Sequence, residues 1–201
     1  MKKLAIATLV MFGAVGTVAA AGNPAAGQAK AATCIACHGA DGNSMVPTFP
    51  SLAGQHADYT HKQLRDFKSG ERHDPSMLPM VAGLSEEDMA DLAAFYATQT
   101  PAIGAATDED KAERGRNLFL GGDANKGITA CMACHGPNGA GVPGAAFPAL
   151  KGQHTTYTIK ALKDFRSGTR ANDAGGMMRD VAARMSDSDI EAVAEFIAGL
   201  H

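Results

Sequence analysis

Apolar residues recur at helical spacing in two stretches of the chain, and nowhere do they alternate with polar residues for long enough to predict a strand. The first stretch begins at Ser85, which can cap a helix together with Asp88, and its apolar face comprises Met89, Leu92, Phe95 and Tyr96. The second begins at Ser186 with Asp189, and its face comprises Ile190, Val193, Phe196, Ile197 and Leu200. The pattern predicts an all-α fold.

Two further helices are predicted in the first half. The Ala-rich stretch 22–36 indicates a short helix, and a second helix is expected from about Ala57 to Ser69. Gly70 follows directly, and glycine is the residue that most often ends a helix.

The two halves of the chain are copies of one another. Residues 48–56 match 146–154 at an offset of 98, and the offset grows from 97 to 101 along the chain, so small insertions are expected in loops of the second copy. Among the repeated polar pairs are His56 with His154, Tyr59 with Tyr157, and Arg72 with Arg170. The repeat predicts two homologous domains, 21–98 and 108–201. Residues 99–107, with Pro and Gly and no periodicity, are the predicted linker.

The first twenty residues are typical of a secretory signal peptide. Lys2 and Lys3 precede an apolar run, and Ala19-Ala20 form a small-residue cleavage pattern. A retained membrane anchor is the alternative, but the run is shorter than the roughly 20 residues that a spanning helix needs. We therefore expect cleavage after residue 20 and export to the periplasm.

The charge of the chain argues against a nucleic-acid partner. The formal net charge is −3, and it becomes −5 without residues 1–20. Binding to phosphates relies on clustered Lys and Arg.

A pentapeptide of the form C-x-x-C-H occurs twice, at 34–38 and 131–135, and contains all four cysteines. This spacing is typical of c-type haem attachment, with thioethers at both cysteines and the histidine as an axial iron ligand. Two disulfides, or one zinc site with four thiolates, are the alternatives for an exported chain. Neither explains why a histidine follows each pair. The thioether residues are thus Cys34, Cys37, Cys131 and Cys134, and the proximal ligands His38 and His135.

The second axial ligand can be sought in the repeat. Met77 and Met178 each lie eight residues before the serine that caps the last helix of their half, and the other methionines have no equivalent methionine in the opposite copy. A bis-histidine alternative would use His56 and His154, although a histidine at a helix N-terminus is usually a surface or capping residue. The unrepeated histidines are expected to be exposed: His61, His73 and His201.

Phe49-Pro50 and Phe147-Pro148 form a second repeated motif. The carbonyl groups of Pro50 and Pro148 could accept a hydrogen bond from the proximal histidines. The alternative role for these residues is only to turn the chain.

Taken in order in both halves, these motifs resemble the dihaem cytochrome c4 family: C-x-x-C-H, then F-P-x-L-x-G-Q, then a methionine eight residues before a serine. The resemblance extends over residues 21–201. It implies two covalently bound haem c groups, with the cysteine, histidine and methionine ligands named above. It also implies periplasmic electron transfer from a quinol–cytochrome c reductase to a terminal oxidase, association with the membrane surface, and haem propionates that face each other between the domains.

Two other functions can be compared with the electron carrier. A dihaem peroxidase or thiosulfate-oxidising enzyme would need unequal haems with one open distal site, whereas this chain has near-identical halves and no fifth cysteine. A docking subunit held within a larger oxidase would share all the motifs. Two closed His/Met sites favour a carrier over an enzyme, because iron then changes oxidation state without binding a substrate.

Overall fold

The computed structural model describes residues 22–201, and the predicted signal peptide lies outside this range. The described residues form helices and no β-strand, with two isolated antiparallel bridges, Asp123 with Ile128 and Val142 with Phe147. The all-α prediction is confirmed. None of the helices between residues 22 and 201 has both the length and the apolar character needed to cross a membrane.

The two halves contain the same order of helices. The first half consists of α1 (Pro24–Lys30), a 3-10 turn (Ala31–Thr33), α2 (Ile35–His38), α3 (Ala57–Ser69), α4 (Leu78–Val81) and α5 (Glu86–Ala97). The second consists of α6 (Glu109–Gly121), α7 (Met132–His135), α8 (Thr155–Ser167), a 3-10 turn (Ala174–Gly176), α9 (Met177–Ala182) and α10 (Asp187–Ala198). No helix occupies 98–108, and the exact domain bounds stay a prediction.

The helix ends follow the local sequence signals. Helix α3 has the predicted bounds, and Gly70 ends it in the left-handed conformation at φ +85°. At the starts of α5 and α10, Ser85 and Ser186 form complete capping boxes with Asp88 and Asp189. Each box satisfies two backbone donors that a helix start otherwise leaves unpaired.

The first and last helices of each domain cross at a glycine. A Cβ added to Gly27 would lie 2.0 Å from the carbonyl oxygen of Asp91, and one added to Gly115 would lie 1.9 Å from that of Ala192. The close packing of α1 on α5, and of α6 on α10, therefore requires glycine. These glycines are 88 positions apart, not 97, because α6 is longer than α1 (13 residues against 7) and a loop follows it before α7. The predicted offsets of 97 to 101 do not include this larger insertion.

Each predicted apolar face lies in the core of its domain. In the first domain Ala31, Leu92, Phe95 and Tyr96 form a buried cluster. In the second domain a larger cluster surrounds Phe119, whose ring lies 5.2 Å from that of Phe196. Phe196 and Leu200 are only partly buried, at the edge of this cluster.

A buried carboxylate joins three segments of the second domain. The side chain of Asp189 is 1% exposed and contacts Arg114 of α6 at 2.5 Å and Lys126 at 2.8 Å. Burial alone would raise the pKa of Asp189, but hydrogen bonds from Lys126, Ser186 and Arg114 outweigh it and hold the pKa well below its usual range. The folded state therefore favours the ionised carboxylate.

We expect Asp189→Asn to lower the free energy of unfolding by roughly 3 kcal/mol at pH 7, because two cations lose a buried partner. A carboxylate with a depressed pKa stabilises the fold above its unfolded pKa of about 3.9, and that stabilisation is lost as the pH falls. The difference between wild type and variant should thus be full above about pH 5 and shrink towards pH 2. Chemical denaturation at several pH values measures it, with the exposed α6 variant Glu113→Gln as control. A difference that does not change with pH would contradict this account.

Candidate haem-binding sites

The two C-x-x-C-H motifs form single helical turns. In the first, the amides of Cys37 and His38 donate to the carbonyl oxygen of Cys34 at 3.3 and 2.9 Å, and α7 repeats this arrangement from Cys131. One turn thereby presents two thiols and an imidazole together. This is the arrangement that attachment to a porphyrin through two thioethers needs.

The alternative explanations for the cysteines do not fit the geometry. All four are partly buried, and neither pair forms a disulfide. The two pairs belong to different domains, and nowhere in residues 22–201 do three or more His, Cys, Asp or Glu side chains come together as a set that could hold a metal ion. A zinc site with four thiolates is thus not formed.

Each proximal histidine is buried and held by a proline carbonyl. His38 is 6% exposed, and its Nδ1–H donates to the Pro50 oxygen at 2.8 Å. His135 is equally buried and donates to the Pro148 oxygen at 2.9 Å. The Phe-Pro motif therefore orients the histidines, the first of the two roles considered for it. Within the described chain Nε2 of either ring makes no hydrogen bond, which leaves this nitrogen for iron.

Burial also sets the charge of these histidines. Desolvation lowers the pKa of His38 and His135, and the hydrogen bonds to the proline carbonyls oppose this only in part. The neutral imidazole is favoured, and this is the form that binds a metal.

Apolar side chains surround each pair of attachment residues. The Phe49 and Phe147 rings lie 6.2 and 6.3 Å from His38 and His135. Cys34 packs against the first core cluster, and Cys131 packs against the second. The residues present fit a haem, because its ring needs an apolar surrounding next to the thioethers.

Exposure separates the eight methionines of the described chain. Met89 and Met185 are buried in the cores, whereas Met45, Met80 and Met177 are at least 44% exposed. Met132 lies inside α7. The remaining two, Met77 and Met178, are partly buried and stand at equivalent positions, at the starts of α4 and α9.

Comparison with known proteins agrees with this geometry. The Cytochrome c family profile matches residues 24–100 and again 112–201, once in each half. Cytochrome c4 of Pseudomonas aeruginosa is 48% identical over 202 residues, covering 100% of both chains. This chain belongs to the cytochrome c4 family. It therefore carries two covalent haem c groups, one at Cys34 and Cys37 and the other at Cys131 and Cys134.

The likeness to cytochrome c4 extends to the three-dimensional structure. The crystal structure of reduced recombinant cytochrome c4 from Pseudomonas stutzeri matches with a TM-score of 0.87 at 47% identity, covering 90% of this chain and 100% of that one. A protein named thiosulfate dehydrogenase electron acceptor, from Stutzerimonas stutzeri, is 44% identical over 181 residues and is covered over 81% of its length, with 89% of this chain.

The repeated histidines lie at the boundary between the domains. Nε2–H of His56 donates to the Ala140 oxygen at 2.8 Å, and that of His154 donates to the Ser44 oxygen at 2.9 Å. Both residues occupy the N-cap positions of α3 and α8 and are partly exposed, as expected, but neither side chain caps its helix. His73 and His201 are exposed as expected, but His61 is partly buried, with Nε2 3.4 Å from the Glu86 carboxylate.

Two repeated glutamines each bind the main chain of the opposite domain. The Gln55 side chain accepts from the Ala149 amide at 2.9 Å and donates to the Ala149 oxygen at 3.0 Å. Gln153 makes the same pair of bonds to Ser51, at 3.0 and 3.1 Å. Because Gln153 and Ala149 are the repeats of Gln55 and Ser51, the interface has an approximate two-fold symmetry.

Arginine–tyrosine pairs extend this symmetry. Arg72 donates to the Tyr157 hydroxyl at 3.1 Å, and Arg170 donates to the Tyr59 hydroxyl at 2.9 Å. Burial alone would raise the pKa of Tyr157, but the two guanidiniums lower it to about 8. Both pairs are repeated in the sequence, but their role is not evident from it. Their repetition could have indicated an interface, because core packing does not explain why polar residues are kept in both copies.

Replacing Cys131 and Cys134 together by Ala should reduce the covalent haem content from two to one per chain. The second domain should also lose its cooperative unfolding, because a domain of this size buries little apolar surface without the porphyrin. Pyridine haemochrome spectra with intact-protein mass measure the haem count, and circular dichroism follows unfolding. The matched variant at Cys34 and Cys37 should affect the first domain instead. Retention of two covalent haems in either variant would be incompatible with these attachment sites.

Proposed function

We propose that this protein is a periplasmic dihaem electron carrier, in which each haem iron is held between a histidine and a methionine. The observation that carries the proposal is the matched pair Met77 and Met178. They are the repeated, partly buried methionines at the starts of α4 and α9. The proximal ligands are His38 and His135, whose orientation is fixed by Pro50 and Pro148.

Filling both axial positions supports a carrier and not an enzyme. The bound haem supplies a one-electron change between ferrous and ferric iron, and methionine ligation raises its reduction potential. With no open position, the chain's residues only hold, bury and orient the group. The similarity of the two sites supports the same role for both haems.

Exposed apolar residues next to the ligands support electron exchange with a partner protein. Ile35 stands between Cys34 and Cys37 and is 43% exposed, and Leu78 follows Met77 and is 45% exposed. Met177, beside Met178, is 44% exposed. Apolar surface at these places would let a partner approach each haem closely.

The interface supports electron transfer between the haems. Arg170 is 7% exposed at the domain interface, and Arg72 stands at the equivalent position of the first domain; each binds a tyrosine of the other domain. These two guanidiniums provide positive charge between the domains, and they would face the haem propionates if these meet there as the family resemblance implies. Such charge would offset the cost of burying carboxylates.

For partners we propose a quinol–cytochrome c reductase as donor and a terminal oxidase as acceptor, with association at the membrane surface. A specific observation favours a second donor. One relative, 44% identical, is named for accepting electrons from thiosulfate dehydrogenase. A carrier with two closed haems could serve either donor.

We expect Met77→Ala to open the first haem and Met178→Ala to open the second. Each variant should lose about half of the weak methionine–iron absorption band of the ferric protein, and one haem should bind carbon monoxide after reduction. Met80→Ala and Met177→Ala are matched controls, because these exposed methionines lie on the same helices. The ligand assignment is wrong if a control variant, and not its neighbour, loses the band.

Stopped-flow mixing separates the two donors. Oxidised protein should be reduced rapidly by quinol–cytochrome c reductase with quinol, and the reduced protein should then be oxidised by a terminal oxidase. A thiosulfate dehydrogenase with thiosulfate replaces the reductase in a parallel measurement. Faster reduction by this enzyme would favour the second donor, and thiosulfate turnover by the protein alone would overturn the carrier role.

A further inference from the structure

A buried tyrosine hydroxyl in the first domain has no partner. Within the described residues, three buried side-chain atoms lack a hydrogen bond: the hydroxyls of Thr60 and Tyr96, and Nε2 of His61. His61 faces the Glu86 carboxylate at 3.4 Å. Tyr96 is only 2% exposed. Leaving a buried hydroxyl unpaired is unfavourable, so its surroundings should contain an acceptor.

The ring of Tyr96 is held firmly by the packing of α5. It lies 5.0 Å from the Phe95 ring, and a Cβ on Gly42 would come within 2.8 Å of it. The backbone oxygen of Tyr96 accepts a hydrogen bond from Gly54 at 2.9 Å. These contacts leave the hydroxyl little freedom to turn towards solvent.

Tyr96 lies next to an attachment residue of the first haem. Cys34 packs against the cluster that contains Tyr96. Burial raises the pKa of the Tyr96 hydroxyl, and the adjacent Cys34 sulfur adds to this effect. The group is therefore a neutral O–H donor at physiological pH, next to a sulfur that can act as a weak acceptor.

The second domain lacks this group. The repeat that pairs Phe95 with Phe196 places Ile197 at the position of Tyr96. Ile197 is also 2% exposed, and its cluster is the one that Cys131 packs against. The two attachment sites thus differ in one buried hydroxyl on the same face of the last helix.

We propose that Tyr96 donates a hydrogen bond to the Cys34 sulfur in its thioether and so raises the reduction potential of the first haem. The donor directs the positive end of its dipole at the haem edge, which favours the reduced state, since this state carries one positive charge less. The second haem has only the methyls of Ile197 at this place. Hydrogen bonding around a haem is one of the means by which a protein sets its potential. The inference rests on the proposed carrier with two His/Met haems.

The test is the nearly isosteric substitution Tyr96→Phe in the full dihaem protein. Optical redox titration should show a downward shift in the midpoint of the first haem and none in that of the second. To assign the midpoints, the titration is repeated in Met178→His, since bis-histidine ligation lowers the second potential and separates the two. A proton NMR spectrum of the ferrous wild type should also show a slowly exchanging hydroxyl proton close to the Cys34 side chain. This signal should be missing from the spectrum of Tyr96→Phe.

Ile197→Val is the matched control, because it changes packing at the equivalent position of the second domain without touching a hydroxyl. It should leave both midpoints unchanged. The haem count and the methionine–iron band are recorded for every protein, and their loss in the wild type would refute the His/Met carrier and not the hydrogen bond. With the band intact, the proposal is overturned if Tyr96→Phe moves neither midpoint or moves both equally. It is also overturned if the variant melts at a higher temperature, as expected when an unpaired hydroxyl is removed.

Discussion

The hydrogen bond from each proximal histidine to a proline carbonyl is the interaction on which the rest of the structure depends. It joins the attachment turn to the loop that follows it, through His38 and Pro50 in the first domain and through the corresponding pair in the second. The next residue of that loop, Ser51, provides the amide and the carbonyl to which Gln153 of the opposite domain binds. The Pro50 carbonyl and the Ser51 amide belong to the same peptide group, which therefore both orients His38 and binds the opposite domain. A displacement of one domain would therefore act, through this loop, on the histidine of the attachment turn in the other domain.

The two domains are most alike at the attachment motifs and differ more in their cores, where the packing is different. Ala31 of the first domain is replaced at the equivalent core position by Phe119, so the second cluster is larger and its first helix is longer. Asp189 binds two cations in the second domain, whereas Asp88, its equivalent, lies nearer the surface beside Lys30. Attachment through a turn of five residues tolerates such changes, because covalent attachment depends on the turn and not on the rest of the domain.

Local signals predicted the elements that depend on local chemistry. The capping serines, Gly70 and the apolar stripes each act within a few residues, so the sequence was sufficient for α3, α5 and α10. The repeat selected Met77 and Met178 because they are the methionines found at the same position in both domains, and their intermediate exposure agrees with that choice.

The interface between the domains could not be predicted in the same way. Gln55 and His56 bond to backbone atoms about a hundred positions away, and backbone acceptors leave no trace in residue identity. The crossing at Gly27 was missed for a related reason, since closeness between helices is a tertiary property.

The symmetry of the interface has a consequence for its strength. Many of its contacts are hydrogen bonds to main-chain atoms, which contribute about 1 kcal/mol each after the loss of water is counted, and arginine–tyrosine bonds, whose charged donor makes them worth about 1.5–3 kcal/mol each. Two separate proteins with these surfaces would also have to offset the loss of translational and rotational freedom on association. Here the segment 98–108 ties the halves together, and it is itself held by Asn43, which contacts Thr100 and Ala102 at 3.1 and 2.7 Å. A short tether gives an effective concentration on the order of millimolar. The covalent connection thus helps to keep this surface closed.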